Sequence, residues 1–313
     1  MKGHAATERP AWNRFSGLAN NIADTLNEAI HARYLKRPQA FCHLAGAKKL
    51  LLTADYSGHR MSPYRTVGLL LVNKDDVAPW KSRLQHLRKG CLGRRRLSYK
   101  DLRHDTIRRK ALPHFLASAD RLRGYCLAVA FAKNLDPLVE DVADHKGLLA
   151  PLAQWPKPLR LWGLYVTVVA ATLIQSTCSA DADFVFFTDE DELVSPRERL
   201  EQFVTLLRVV VRDIGPNQYG TITYGTAGMT GNNLFVEDMC AVPDLVAGAL
   251  TDYLRSAGGE ATLEVPSTAL DPRARVVIDW MLTKAGGLTR LAAVDDAAPA
   301  PQIGRVRLLR RDP

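Results

Sequence analysis

Three carboxylates stand where apolar runs of this chain give out, and they are the residues best suited to chemistry. Asp55 follows Leu50-Leu51-Leu52-Thr53-Ala54 and precedes the turn signal Ser57-Gly58. Asp189 closes Phe184-Val185-Phe186-Phe187-Thr188 and opens an acidic run with Glu190, Asp191 and Glu192. Asp244 follows Val242-Pro243, where the pattern predicts the opening of a helix. A carboxylate at the end of a buried strand is expensive unless it is solvated, paired or metal-bound. Each of the three also has a plain reading: a turn residue for Asp55, a solvated acidic loop for Asp189, and a first-turn acid favoured by the helix dipole for Asp244. Ala247, Gly248 and Thr251 share the face of Asp244, and small side chains there let a helix approach a sheet and bring Asp244 towards two strand ends.

The cations are as unevenly placed. Lys81 to Arg123 holds 14 Lys and Arg against Asp101, Asp105 and Asp120, an excess of 11 in a chain of net charge +9, so the remainder sums to −2. Arg94-Arg95-Arg96 and Arg108-Arg109-Lys110 are its peaks, with Lys100 between them. A solvated helix face is the ordinary explanation of a charge run. The one-sided sign here points to a polyanion, and nucleic acid is the expected partner.

Other chemistries lack their residues. The five cysteines are scattered without Cys-x-x-Cys, which argues against a disulfide framework and a zinc site and for a reducing compartment. No His-Glu-x-x-His, no Gly-Lys-Ser/Thr ending and no Gly-x-Ser-x-Gly occurs, and the Gly-rich stretch 224–231 reads as a loop. His59 lies near Asp55 in sequence and reads as an exposed turn residue. The first ten residues lack the apolar core of a signal peptide. Residues 161–174 form an uncharged run of 14, shorter than the ~20 that a membrane span needs. The expectation is a cytoplasmic protein with no membrane segment.

The elements that must position these residues follow from periodicity. Helical spacing covers 14–34, 75–89, 105–120, about 158–178, 195–212, 242–255 and 271–285. Strands are expected near 49–54, 64–72, 124–132, 183–188 and 219–224, with an edge strand in the tail 303–311. Paired strands followed by strands alternating with helices give an α/β layered fold.

Asp55-Tyr56-Ser57-Gly58 resembles the Asp-Glu-Ser-Gly at the first strand of a large bacterial family of the ribonuclease H-like superfamily, still called a domain of unknown function. Phe184-Val185-Phe186-Phe187-Thr188-Asp189-Glu190 resembles its later strand with an acidic end, and Pro243-Asp244-Leu245-Val246-Ala247-Gly248-Ala249-Leu250 its final motif, Ala-Asp-Leu-Ile-Ala-Gly-Ala-Leu. The resemblance implies a ribonuclease H-like mixed sheet flanked by helices over residues 47–256, and it leaves an N-terminal helical arm at 1–46 and a C-terminal extension at 257–313 outside it. It implies a metal-dependent nuclease with Asp55, Asp189 and Asp244 as ligands of Mg²⁺ or Mn²⁺, the chemistry in which two ions clamp the attacking and leaving oxygens. The family's Glu after the first Asp is Tyr56 here, and an acidic residue with a His is replaced by Lys100-Asp101. Asp101 and Glu190 are therefore candidates for the fourth carboxylate, with Glu237 and Asp238 ranked below them because Asn232-Asn233 suggests a loop. The rival readings are a non-catalytic nucleic-acid-binding or scaffold protein of this fold, and a subunit that docks a protein partner through helices 14–34 and 271–285.

Overall fold

The computed structural model describes Trp12 and residues 22–57, 62–135, 147–190, 193–215, 217–231, 233–256, 270–283, 287–296 and 305–308. His59, Asp191, Glu192 and Asn232, the first turns of the 14–34 helix and most of the basic tail lie outside them.

Seven strands form one sheet: β1 Lys49–Ser57, β2 Tyr64–Asn73, β3 Gly124–Ala132, β4 Asp183–Thr188, β5 Ile222–Thr226, β6 Leu288–Asp296 and β7 Arg305–Leu308. Their order is β5-β4-β1-β2-β3-β6-β7. β2 is antiparallel to β1 and β3, whereas β4 runs parallel to β1 and β5 to β4. The order 3-2-1-4-5 with only the second strand reversed is the ribonuclease H-like sheet, so the expected fold class holds. Beyond it, β6 pairs parallel to β3 and β7 antiparallel to β6.

Alternation along the strands divides the core into two layers. Leu50, Leu52 and Ala54 of β1 with Phe184 and Phe186 of β4 face one layer, which includes helices α1 (Ile22–Lys36), α4 (Lys157–Thr177) and α5 (Arg197–Ile214). Leu51 of β1 and Leu70 and Val72 of β2 face the other layer, built on α2 (Ala78–Leu87), α3 (Thr106–Ala119), α6 (Leu234–Ser256) and α7 (Pro272–Leu282). Among the described residues α4 alone is long and apolar enough to cross a membrane; 89% of its apolar window is buried inside the protein, so it serves as a core helix here.

Two elements differ from the sequence reading. The helix expected to open at Val242 begins at Leu234, so Asp244 lies in mid-helix and not in its first turn, and Glu237 and Asp238 are helical rather than in a loop. Asn233 supplies the start, its Oδ1 accepting from the Phe235 N–H at 3.1 Å. The Pro243 signal marks an interior proline, which a helix tolerates where another group takes the freed carbonyl. The second difference is β6, read only as the chain after a Gly-Gly stop. Arg290 obscured it: a cation in a central strand is unexpected, and this one is buried over the Trp280 ring at 4.7 Å, with Asp120 at 3.2 Å.

Candidate carboxylate centre and its arginine

Strand parity places the first two carboxylates together. The Thr53 hydroxyl bonds α6, so Asp55, two residues on, projects towards the same helix. On β4, Phe187 packs with the α6 layer and Asp189 is again two residues on. Ala54 pairs with Thr188, so Asp55 and Asp189 leave neighbouring parallel strands side by side. Each carboxylate accepts the N–H of the next residue: Tyr56 on Asp55 at 2.6 Å, and Glu190 on Asp189 at 2.9 Å.

The third carboxylate arrives because α6 presses on β2. Gly68 lies across the ladder from Asp55, and a Cβ there would overlap the carbonyl of Pro243. Close backbone approach, rather than an unusual φ, is what requires this glycine. Pro243 has no N–H, so the carbonyl of Met239 lacks its helical donor. Thr53 Oγ1 donates to that carbonyl at 3.1 Å and ties β1 to α6 one turn before Asp244. Beyond Asp244 on the same helix, Thr251 donates to the Thr66 hydroxyl of β2 at 2.9 Å.

Asp244 is half-buried, and its Oδ2 accepts the Tyr99 N–H at 2.6 Å while Ser98 bonds the same carboxylate. Burial raises its pKa, to about 6, and Asp189 adds to the rise; the Tyr99 N–H, Arg96 and Ser98 oppose it. The 98–99 segment is held by the following turns of the same helix face. The Tyr99 ring lies on Gly248, where a Cβ would strike it, and its hydroxyl donates to Asp252 at 2.8 Å. Arg273 covers the ring at 4.6 Å and bonds Asp252 at 2.9 Å. Gly248 thus clears room for Tyr99 rather than for the sheet, whereas Thr251 does face β2.

Arg96 sits within the centre, paired with Asp189. Burial lowers its pKa, but Asp189 and then Asp244 outweigh it and the net shift is upward. Its loop is pinned from both sides. Arg88, bonded to buried Asp238 at 2.5 and 3.2 Å, donates to the carbonyls of Gly93 at 2.9 Å and Arg95 at 3.1 Å. Arg108 donates to the Arg96 carbonyl at 2.6 Å while holding Asp105 at 2.8 Å and Asp101 at 3.4 Å. Cys240, one turn before Asp244, is buried close enough to feel Asp55 and Asp189; burial first and then both anions push its thiol far above the usual range.

The remaining expected residues divide. Asp101 pairs with Arg108, and the Glu190 side chain lies against Gly228. Asp238 faces Arg88. Arg94, Lys100, Arg109 and Lys110 are exposed, and Arg94 lines a cavity of about 390 Å³ with Lys81, Arg88 and Phe235. Arg95 is exposed with Asp105 at 3.9 Å, whereas Arg96 and Arg108 are half-buried and engaged in ion pairs. Sequence reasoning missed Gly68, Ser98, Tyr99 and Cys240; a glycine inside the apolar run 67–72 was the one available signal.

Three carboxylates are the oxygen donors that a hard cation prefers. As arranged they do not fit one: among the described residues no three acidic, His or Cys side chains stand close enough to hold an ion, and Arg96 takes up Asp189. No protein-family model and no curated protein sequence matches the chain. Among solved structures it is similar to ribonuclease H2 from Pyrococcus horikoshii OT3, with a TM-score of 0.38 and 16% identity over 74% of this chain and 85% of that one.

Proposed function

We propose that this chain is a nuclease of ribonuclease H-like fold, cleaving phosphodiester bonds in RNA or DNA at Asp55, Asp189 and Asp244 with Mg²⁺ or Mn²⁺ as the working ion. The observation that supports it is the convergence of three carboxylates from β1, the end of β4 and mid-α6 on one face of the sheet. Holding like charges together is unfavourable unless a cation compensates them, as Arg96 does in this arrangement and a divalent ion would in the working one. The motif resemblance at Asp55, Asp189 and Asp244 supports the same reading. The exposed cations Arg94, Lys100, Arg109 and Lys110 would hold the backbone of the substrate.

The Arg96–Asp189 pair favours a second reading, a non-catalytic nucleic-acid-binding protein in which an arginine stands in for the ion. Cleavage assays on single- and double-stranded RNA and DNA with Mn²⁺ separate the two. On the first reading the wild type cuts at least one substrate, and Asp55→Asn, Asp189→Asn and Asp244→Asn each abolish cutting while binding persists. A folded wild type that binds nucleic acid and cuts none of the four overturns it in favour of the second.

A further inference from the structure

We propose that the cavity at the start of β6 is an anion site that binds a phosphate monoester, the terminal phosphate of a free nucleotide or of a nucleic-acid end. The site is separate from the carboxylate centre: β6 is the third strand from β1 in the sheet, about 14 Å away at the usual strand spacing. It needs neither a metal ion nor cleavage, so its test is independent of the nuclease reading.

Sheet topology explains why a cavity forms here. Among the described residues β7 pairs with Ala293–Asp296 only, so the first half of β6 meets the segment after α1 instead of a strand. Thr289 fastens that segment: its hydroxyl accepts from the Cys42 N–H at 2.7 Å and donates to the Ala40 carbonyl at 3.1 Å. The space left between residues 37–43, Arg123 and the end of α7 is about 490 Å³, within the roughly 300–1,000 Å³ of small-ligand sites. Cations line it. Arg33 and Arg37 come from the end of α1, Arg123 from the turn before β3 and Arg290 from β6, with His43 beside them and no carboxylate among the lining residues. The dipole at the end of α1 favours a cation there, but it does not bring Arg123 and Arg290 from other elements. Arg37 is exposed and has no carboxylate partner among the described residues, and exposed Arg123 stands 3.6 Å from Asp76.

The decisive residue is Arg290. Its side chain is 2% exposed; Nη2 donates to the Thr283 carbonyl at 2.5 Å, Nη1 stands 3.2 Å from Asp120, and Nε has no acceptor among the described residues. Asp120 is itself shared, since it accepts from the Trp280 indole N–H at 3.0 Å. Burial lowers the pKa of Arg290 even with Asp120 opposing it, so the cation is incompletely compensated. A buried guanidinium with a donor to spare, in the wall of a cavity otherwise edged by cations, calls for an anion. Four guanidinium groups and an imidazole suit the two negative charges of a monoester better than the single charge of a passing diester. Phe41 and Leu288 supply an apolar wall on which an attached nucleoside can lie.

The test is binding with no divalent ion added, read from the rise in melting temperature and from titration of labelled strands. AMP is compared with adenosine, and a 5′-phosphorylated single-stranded oligonucleotide with the same strand ending in a 5′-hydroxyl. The proteins are wild type, Arg37→Gln, Arg123→Gln and Arg290→Gln, with Arg197→Gln, an exposed arginine of α5, as the control. Wild type and control are expected to bind the phosphorylated member of at least one pair about 10-fold more tightly than the other member. The cavity variants are expected to bring that ratio within about 2-fold. Arg37→Gln and Arg123→Gln change exposed side chains and decide the matter if Arg290→Gln does not fold. A response to AMP assigns the site to a free nucleotide, and a response to the oligonucleotide pair alone assigns it to a nucleic-acid end. Equal affinity within both pairs, or a ratio that survives in both Arg37→Gln and Arg123→Gln, overturns the proposal.

Discussion

The hydroxyl of Thr53 donates at 3.1 Å to the carbonyl of Met239, the carbonyl that Pro243 leaves without a helical donor. A defect in one element is thereby repaired by another, and the repair sets the height of α6 on β1. Replacing Thr53 with Val keeps the shape and removes the donor. A buried acceptor left unsatisfied costs about 1–3 kcal/mol. Urea melts of Thr53→Val are expected to show that loss, and an unchanged midpoint would mean that water or a shifted helix takes over the carbonyl.

Gly68→Ala tests the packing of α6 from β2. Its Cβ would overlap the Pro243 carbonyl, a backbone group that cannot swing aside. Overpacking of this kind costs typically ~1–3 kcal/mol and here displaces Asp244 as well. Gly46→Ala is the control, because nothing stands within 4 Å of a Cβ there. The expected result is a lowered melting temperature and abolished cleavage for Gly68→Ala, with Gly46→Ala like the wild type. Equal behaviour of the two variants would remove close approach as the reason for Gly68.

Acidification is expected to stabilise the native state through Asp238. Burial pushes its pKa up to about 6, against the pull of Arg88, from an ordinary value of 3.8. The folded chain therefore binds this proton more readily than the unfolded chain, and the group's contribution to stability rises as pH falls from above 6 towards 4. Arg88→Met removes the counter-charge and leaves a buried anion, at a cost of about 3–5 kcal/mol near pH 7. That deficit is expected to shrink between pH 7.5 and pH 5, as the orphaned carboxyl takes up its proton. A deficit that grows on acidification would contradict the assignment.

The basic segment is expected to act in two parts. Arg94, Lys100, Arg109 and Lys110 are exposed, so their replacement by Ala should leave the melting temperature within a degree or two. It should also flatten the salt dependence of binding, by about 0.7–0.9 in slope for each phosphate no longer neutralised. Arg108 ties Asp101, Asp105 and the Arg96 carbonyl together, so Arg108→Ala should lower stability first. Competition binding over a salt series and parallel melts check both. A quadruple variant with an unchanged slope would place the nucleic acid elsewhere.

Apolar runs and turn signals located six of the seven strands, and with them the run that carries Asp55, because hydrophobic patterning is a local property. Asp189 was legible for the same reason. The place of Asp244 was misread, since a proline is a start signal in sequence and only tertiary packing shows when a helix runs through it. Arg96 was legible as a cation but not as the partner of Asp189, 93 residues away. Ion pairs between distant segments leave no periodic trace. The same holds for Tyr99, whose role depends on Gly248, Asp252 and Arg273 meeting it from two helices.

The pairing of β6 with β3 limits how this chain can be shortened. Eight of the nine residues of β3 are buried, and β6 supplies the backbone partners along one of its edges. A fragment ending at Ser256 would bare that edge as a ready template for another copy, and would also remove the guanidinium of Arg273 from the Tyr99 ring. Such a fragment retains every carboxylate of the centre and is nonetheless expected to self-associate during expression.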